Sequence, residues 1–321
     1  MVKGPGGKHL KVSTPISSLT RIDYSDNSNG RYSLLSAIGN TPLLKLGNVY
    51  AKVESLNPGG SIKDRVALAI IEGAERRGEL KNGDSIVEAS SGNTGISLAM
   101  VGAAKGYRVI IVMPENMSRE RRLIMKSLGA ELVLTSKSGS LTEAIEKAEE
   151  IAAQPHVFMA RQFSNPDNLK AQEKTGEEIV KEIGAADAVV AGVGTGGTLM
   201  GISQVMKRVN PDVKVIAVEP EEAAVMFGGS SFRIRQHKIQ GIGDGFIPQL
   251  MDMKLVDKIY TVSSQEAIEM TKLLFRKYGV LAGISSGANM LIAQKVAREY
   301  DKVVTVFPDR AERYLSMNLF K

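Results

Sequence analysis

The sequence predicts an α/β chain with two doubly wound, mainly parallel-sheet domains and a ligand cleft between them. Three observations carry that expectation. Apolar strand-length runs alternate with helix-length runs in two successive series, the pattern of parallel strands covered on both faces by helices. Glycine-rich loops stand between strand and helix, where open α/β sheets bind ligands. One hairpin pattern, 43–46 and 49–54 across Gly47-Asn48, precedes the first series.

Asn57-Pro58-Gly59-Gly60 reads as a turn, and an apolar-periodic helix opens after it with Ser61 as N-cap and Asp64 as its acidic third residue. The first series then has strands at 86–89, 108–113, 131–135 and 157–160, with helices at 95–105, 119–128 and 141–153 between them. The second begins after Asn165-Pro166. It has helices at 168–182, 198–209, 265–278 (capped by Ser264) and 288–300, and strands at 188–193, 214–219, 258–262 and 302–307. Residues 221–249 form an irregular stretch. The expected domains are a smaller, mobile one over 57–165 and a larger one from 35–56 with 166–321. Residues 1–31, rich in Gly, Ser, Lys and Asn, read as a flexible leader.

Composition narrows the chemistry. The 321 residues contain no cysteine, which excludes disulfides, zinc–thiolate sites and cysteine nucleophiles. Three histidines, His9, His156 and His237, are too widely spaced to promise a metal cluster, so no metal is expected. Half of the net charge of +6 sits in residues 1–31, and aromatic content is 5%, which argues against nucleic-acid binding. No apolar segment follows the early lysines as in a signal peptide. The uncharged stretch 188–206 is broken by five glycines and reads as strand, turn and helix rather than a membrane span. The expectation is a cytoplasmic enzyme.

Four stretches carry chemistry. Lys63 falls in the first turn of its helix, where free N–H groups and the macrodipole make an ammonium unwelcome. A readily deprotonated amine there suits Schiff-base chemistry. Ser90-Ser91-Gly92-Asn93-Thr94-Gly95 offers hydroxyls, an amide and a helix N-terminus to a carboxylate or phosphate. Gly194-Thr195-Gly196-Gly197-Thr198 offers backbone N–H groups with little bulk, which suits a phosphate. Gly283-Ile284-Ser285-Ser286-Gly287 leads into a helix that Ser286 would cap. One competing pattern runs through the same region. Gly192, Gly194 and Gly197 satisfy G-x-G-x-x-G, with Glu219 at the end of the next strand, as in a nicotinamide-dependent dehydrogenase.

Taken together, from about Leu35 to Phe320, the chain resembles the cysteine synthases (O-acetylserine sulfhydrylases), pyridoxal-phosphate enzymes of the tryptophan-synthase-β fold family. The motifs are Ile38-Gly39-Asn40-Thr41-Pro42-Leu43, the Lys63 segment, Ser91–Gly95, Gln162-Phe163 and Gly194–Thr198. They continue through His237-Lys238-Ile239-Gln240-Gly241-Ile242-Gly243, Ser285-Ser286-Gly287 and Glu312-Arg313-Tyr314-Leu315-Ser316. The resemblance implies that Lys63 holds pyridoxal 5'-phosphate and moves the substrate's Cα proton. Gly194, Thr195, Gly196, Gly197 and Thr198 would bind its phosphate, Asn93 its ring oxygen and Ser286 its ring nitrogen. Ser90, Ser91, Thr94 and Gln162 would hold the amino-acid carboxylate. The implied reaction is β-replacement of an activated serine by sulfide through an aminoacrylate intermediate, giving L-cysteine.

The resemblance also implies a homodimer and a complex with serine acetyltransferase. Departures from the family pattern bear on the donor. Arg161 stands where an uncharged or acidic residue is usual, Arg233 and Arg235 in a stretch that is usually Gly/Pro-rich, Arg310-Ala311 in place of a small Ser-Gly pair, and Ser90 where Thr is usual. Guanidinium groups at the mouth suit an anionic donor. O-acetylserine leads, and O-phosphoserine or a cystathionine β-synthase type of reaction stays open.

Overall fold

The hairpin forms β1 (Leu43–Leu46) and β2 (Val49–Lys52), with Leu44 opposite Ala51. The computed structural model of the chain describes residues 33–116, 118–136, 141–228 and 234–317, so the expected leader at 1–31 and Arg233 lie outside the described residues. After the hairpin come α1 (Lys63–Arg77), β3 (Ser85–Ala89), α2 (Asn93–Lys105), β4 (Arg108–Pro114) and α3 (Arg119–Ser127). Next are β5 (Glu131–Thr135), α4 (Leu141–Ala152), β6 (Val157–Met159), α5 (Pro166–Ile183), β7 (Ala188–Gly192) and α6 (Gly197–Val209). The chain continues with β8 (Lys214–Pro220), the single turn α7 (Val225–Gly228), β9 (Lys258–Val262), α8 (Ser264–Tyr278), α9 (Ile284–Val296) and β10 (Val303–Val306).

The strands sort into two sheets. One is four-stranded in the order β5-β4-β3-β6, parallel throughout. The other is six-stranded, β1-β2-β10-β7-β8-β9, and only its β1–β2 pair is antiparallel. β3 and β10 are buried at every position, as parallel strands covered on both faces must be. Because β2 pairs with β10, the segment that leads into α1 starts from the six-stranded sheet. α1 itself packs Val66, Ile70 and Ile71 in one core with Ile86 of β3 and Leu98 of α2. The first residues of α1 therefore lie where the two sheets meet.

Three local details differ from the sequence reading. α1 begins at Lys63 behind Ile62, with no side-chain cap. Asp64 instead accepts from Gly59 N at 2.7 Å and from Ser97 Oγ at 2.5 Å, which ties the turn to α2. α8 is capped by Ser263, in a capping box with Glu266, rather than by Ser264. α9 opens at Ile284 behind Gly283, so Ser286 sits inside its first turn and is not its cap. The glycines that suggested a loop there serve packing. A Cβ on Gly287 would strike Ala267 O and Thr271 of α8. Among the described residues no helix is long and apolar enough to cross a membrane, and none group as a metal site.

Candidate active site

The turn 57–60 closes with Gly60 in the left-handed region (φ 83°) and its N–H on Asn57 O at 2.8 Å. Ile62 N bonds to Pro308 O at 2.8 Å, which fixes the entry to α1 against the segment after β10. Lys63 leaves this anchored turn and donates from Nζ to Thr195 Oγ1 at 3.1 Å. Burial lowers its pKa to about 8, while the charges of Asp244 and Glu88 oppose that shift. Desolvation, rather than the helix N-terminus that the sequence emphasised, is thus the leading cause of a readily available amine.

Lys63 opens into a cleft of about 500 Å³. Every candidate residue named from the sequence lines it except Gly197 and Ser286, which lie just behind the wall. On one side stands the β3–α2 loop. Ser90 Oγ accepts from Gly92 N (3.3 Å) and Gly95 N (3.1 Å), shaping the loop from within. Thr94 Oγ1 donates to Gln162 Oε1 at 2.6 Å, and Gln162 Nε2 donates to Ala89 O at 3.0 Å. Asn93 Nδ2 donates to Asp309 Oδ2 at 2.8 Å, and Arg313 donates to Asn93 Oδ1, so the amide is held in one orientation.

On the other side is the β7–α6 loop. Gly196 adopts φ 83°, and a Cβ there would come within 2.8 Å of Met251 Cγ. A Cβ on Gly194 would meet Gly241 O, and one on Gly197 would strike Asn168. This leaves bare backbone facing the cleft. The first N–H groups of α6 have no intrahelical acceptor and are available to an anion. Thr195 Oγ1 also accepts from Asn168 Nδ2 at 3.0 Å. Next to Ser285, which lines the cleft, Ser286 Oγ is fully buried and has no hydrogen-bond partner among the described residues.

The dinucleotide pattern dissolves in the structure. Glu219, 1% exposed, accepts from Met226 N at 3.0 Å and Phe227 N at 2.7 Å, so its carboxylate is not free to hold a ribose. Of the unusual arginines, Arg235 lines the cleft. Arg161 lies 3.5 Å from Glu149 instead, and Arg310 Nε donates to Ser55 O at 2.7 Å.

Sequence reasoning missed three cleft residues. Asp244 faces Lys63 and His237, and its pKa is raised chiefly by its deep setting. Phe163 lines the cleft and meets Phe246 edge-on, with ring centroids 5.1 Å apart. Arg121 of α3, 5% exposed, also lines the cleft. A signal existed for it. Arg121 stands four residues before the buried Met125, on the inward face of an otherwise charged helix.

These residues fit pyridoxal phosphate on observations of the structure alone. A low-pKa amine lies within 3.1 Å of the bare glycine loop's Thr195. The orphaned Ser286 hydroxyl offers a neutral partner for a ring nitrogen.

Comparison with known proteins agrees. A family model described as "Pyridoxal-phosphate dependent enzyme" matches residues 34–309. The chain is 47% identical over 302 residues to a cysteine synthase of Staphylococcus aureus (strain Mu50), covering 90% of this chain and 96% of that one. Among solved structures it is similar to the cysteine synthase of Entamoeba histolytica, with TM-score 0.85 and 38% identity, covering 98% of this chain and 94% of that one. It is equally similar in fold to an O-acetylserine dependent cystathionine β-synthase from Helicobacter pylori, with TM-score 0.85 and 38% identity, covering 90% and 99%.

Proposed function

The chain belongs to the pyridoxal-phosphate-dependent enzyme family, and from that premise we propose that it makes L-cysteine by β-replacement, exchanging the acetate of O-acetyl-L-serine for sulfide. The observation that supports this most directly is the Lys63 amine, with its pKa near 8, directed at Thr195 between a hydroxyl-bearing helix N-terminus and a bare glycine one.

Pyridoxal phosphate, when bound, supplies an electron-withdrawing carbonyl and ring that make the substrate's Cα proton acidic and let the β-substituent leave. The protein's residues do the rest. Lys63 Nζ would hold the cofactor and is the base placed to take the proton from Cα. A pKa near 8 leaves part of the amine neutral near neutral pH, where a base must be unprotonated to act. The first N–H groups of α6 and the Thr195 and Thr198 hydroxyls hold the phosphate without a cationic side chain. Asn93, fixed by Asp309 and Arg313, meets the ring oxygen. Ser286 would meet the ring nitrogen, and a neutral hydroxyl there would not force a proton onto it. Ser91, Thr94 and Gln162 orient the carboxylate, with Ser90 shaping their loop. The Phe163–Phe246 contact excludes water from Cβ while the residues of 57–165 close as a mobile unit.

Arg235 lines the same cleft with no ion-pair partner among the described residues, and this favours O-phosphoserine as the second donor to test. The reading also carries a cytoplasmic homodimer able to dock a serine acetyltransferase. Purified protein loaded with pyridoxal phosphate is expected to convert O-acetylserine and sulfide to cysteine. Lys63→Ala is expected to lower the rate by at least about a thousandfold while the melting temperature stays within a few degrees. Cysteine formation that survives Lys63→Ala, or none from the wild type with either donor, overturns the reading.

A further inference from the structure

Arg121 poses an electrostatic problem that the scaffold does not solve. It is 95% buried, and arginine is almost never buried without a counter-charge. Among the described residues it makes no ion pair, and its Nε has no hydrogen-bond partner. Among the described residues its side chain lies against the ring of Tyr314, with the guanidinium carbon 5.4 Å from the centroid. Of the acids near this cluster, Asp309 has its Oδ2 taken by Asn93 (2.8 Å) and by Tyr314 OH (2.6 Å) while its Oδ1 makes no hydrogen bond among the described residues, and Asp64 is bonded to Gly59 N and Ser97 Oγ. A second cation, Arg313, is close enough that its own pKa is lowered in part by Arg121. Asp309 and Asp64 both act on Arg313, and neither makes an ion pair with Arg121, whose guanidinium has no bonded counter-ion among the described residues.

The same guanidinium borders the cleft at one definite place. Its Nη1 lies 3.5 Å from where a Cβ on Gly92 would sit, and Gly92 is the N-cap residue of α2, a helix of 13 residues. The free N–H groups of that helix and the Arg121 guanidinium thus border one spot. The neutral groups nearby are engaged with one another. Ser90 Oγ serves Gly92 and Gly95, and the Thr94 hydroxyl is given to Gln162. Hydroxyls and amides of this kind give shape to a carboxylate site, but none of them carries charge.

We propose that Arg121 is a substrate-binding residue that supplies the counter-charge for the α-carboxylate of the amino-acid substrate, so that the chain distinguishes a free amino acid from its amide. This rests on the reading of the Ser91 loop as the carboxylate site. A charge-assisted hydrogen bond in so sheltered a place contributes about ten- to a hundredfold in affinity. The alternative role is structural, with Arg121 tying α3 to Tyr314 through ring contact alone.

The test compares L-serine with L-serinamide as ligands of the holoenzyme, followed by the change in cofactor absorbance, for the wild type and Arg121→Gln. The wild type is expected to bind serine about 30-fold more tightly than serinamide. In Arg121→Gln that preference is expected to fall to about threefold or less, through loss of serine affinity with little change for serinamide. The melting temperature without amino acid is expected to stay level or rise, because an unpaired buried cation has been removed. A preference unchanged by Arg121→Gln overturns the proposal, whatever happens to the melting temperature. Cysteine formation from O-acetylserine and sulfide is measured in parallel. A wild type that prefers serine to serinamide yet makes no cysteine would sink the proposed function and leave this inference standing.

Discussion

Arg65 and Arg121 are buried to nearly the same degree, 6% and 5% exposed, in opposite surroundings. Arg65 donates to Glu54 at 2.7 and 2.8 Å and to Glu178 at 2.6 and 2.7 Å, so both of its carboxylate partners are held by two bonds. Lys52 adds a contact to Glu178 at 3.0 Å. These interactions join α1, the segment after β2 and α5, and they fix α1 two residues beyond Lys63. Arg121 makes no ion pair among the described residues. The difference teaches how to tell scaffold from site: a buried charge whose partners are all protein is architecture, while one that faces a cleft without a partner is set for a ligand.

The sharpest way to break that contrast is Arg65→Met. It leaves Glu54, which is fully buried, without its cation, and breaking one side of a buried pair costs about 3–5 kcal/mol. Urea unfolding should show the loss, whereas Arg121→Gln should show none. The acid limb tests the same pair. Arg65 and its neighbours hold the pKa of Glu178 down to about 2, so its stabilisation is full above its ordinary value of 4.5 and is lost as pH falls from there toward 2. In Arg65→Met that acid-dependent part should shrink. Equal losses for both arginine variants would erase the distinction.

A second comparison sets the two helix N-termini of the cleft against each other. That of α2 is dressed with hydroxyls, an amide and Arg121; that of α6 is bare glycine. The bare one is expected to tolerate no side chain. Gly197→Ala would push Asn168, whose Nδ2 holds both Thr195 Oγ1 at 3.0 Å and Gln162 O at 2.9 Å. Displacing a fully buried, twice-bonded amide costs about 2 kcal/mol. Cofactor affinity, read by absorbance titration, should therefore fall about 30-fold. Full affinity in Gly197→Ala would mean that the loop does not form the phosphate cradle.

Most of the fold was legible because strand and helix periods alternate without interruption, and strands such as 131–135 and 258–262 needed no adjustment. The glycine loops were legible for the same reason, since each falls between a strand and a helix. What escaped depends on surroundings. Ser286 reads as a cap in sequence because Gly287 follows it, yet that glycine lets α9 lie against α8 and draws the serine into the helix. Arg121 is one of three arginines in four residues, 119 to 122, and only tertiary packing selects it. In the same helix Leu123 and Ile124, which hydrophobicity would turn inward, are 55% and 37% exposed. Propensity and period say where a helix lies. They do not say which of its charges will find a partner.

A buried charge of the opposite sign gives a third contrast. Glu88, 1% exposed at the end of β3, accepts from Gln162 N at 3.3 Å, beside Arg161, which is held at φ 54°. Burial raises its pKa to about 7 against those backbone bonds. The folded protein therefore keeps a proton that the unfolded chain releases at 4.5, and stability falls as pH climbs from 4.5 through 7. Glu88→Gln keeps an acceptor oxygen and carries no charge. It should match the wild type near pH 4.5 and become the more stable of the two above pH 7, by up to about 3 kcal/mol. Melting temperatures taken across that range decide it. A constant offset at all pH values would mean that Glu88 remains ionised, its charge held by the 161–162 turn and by Lys63.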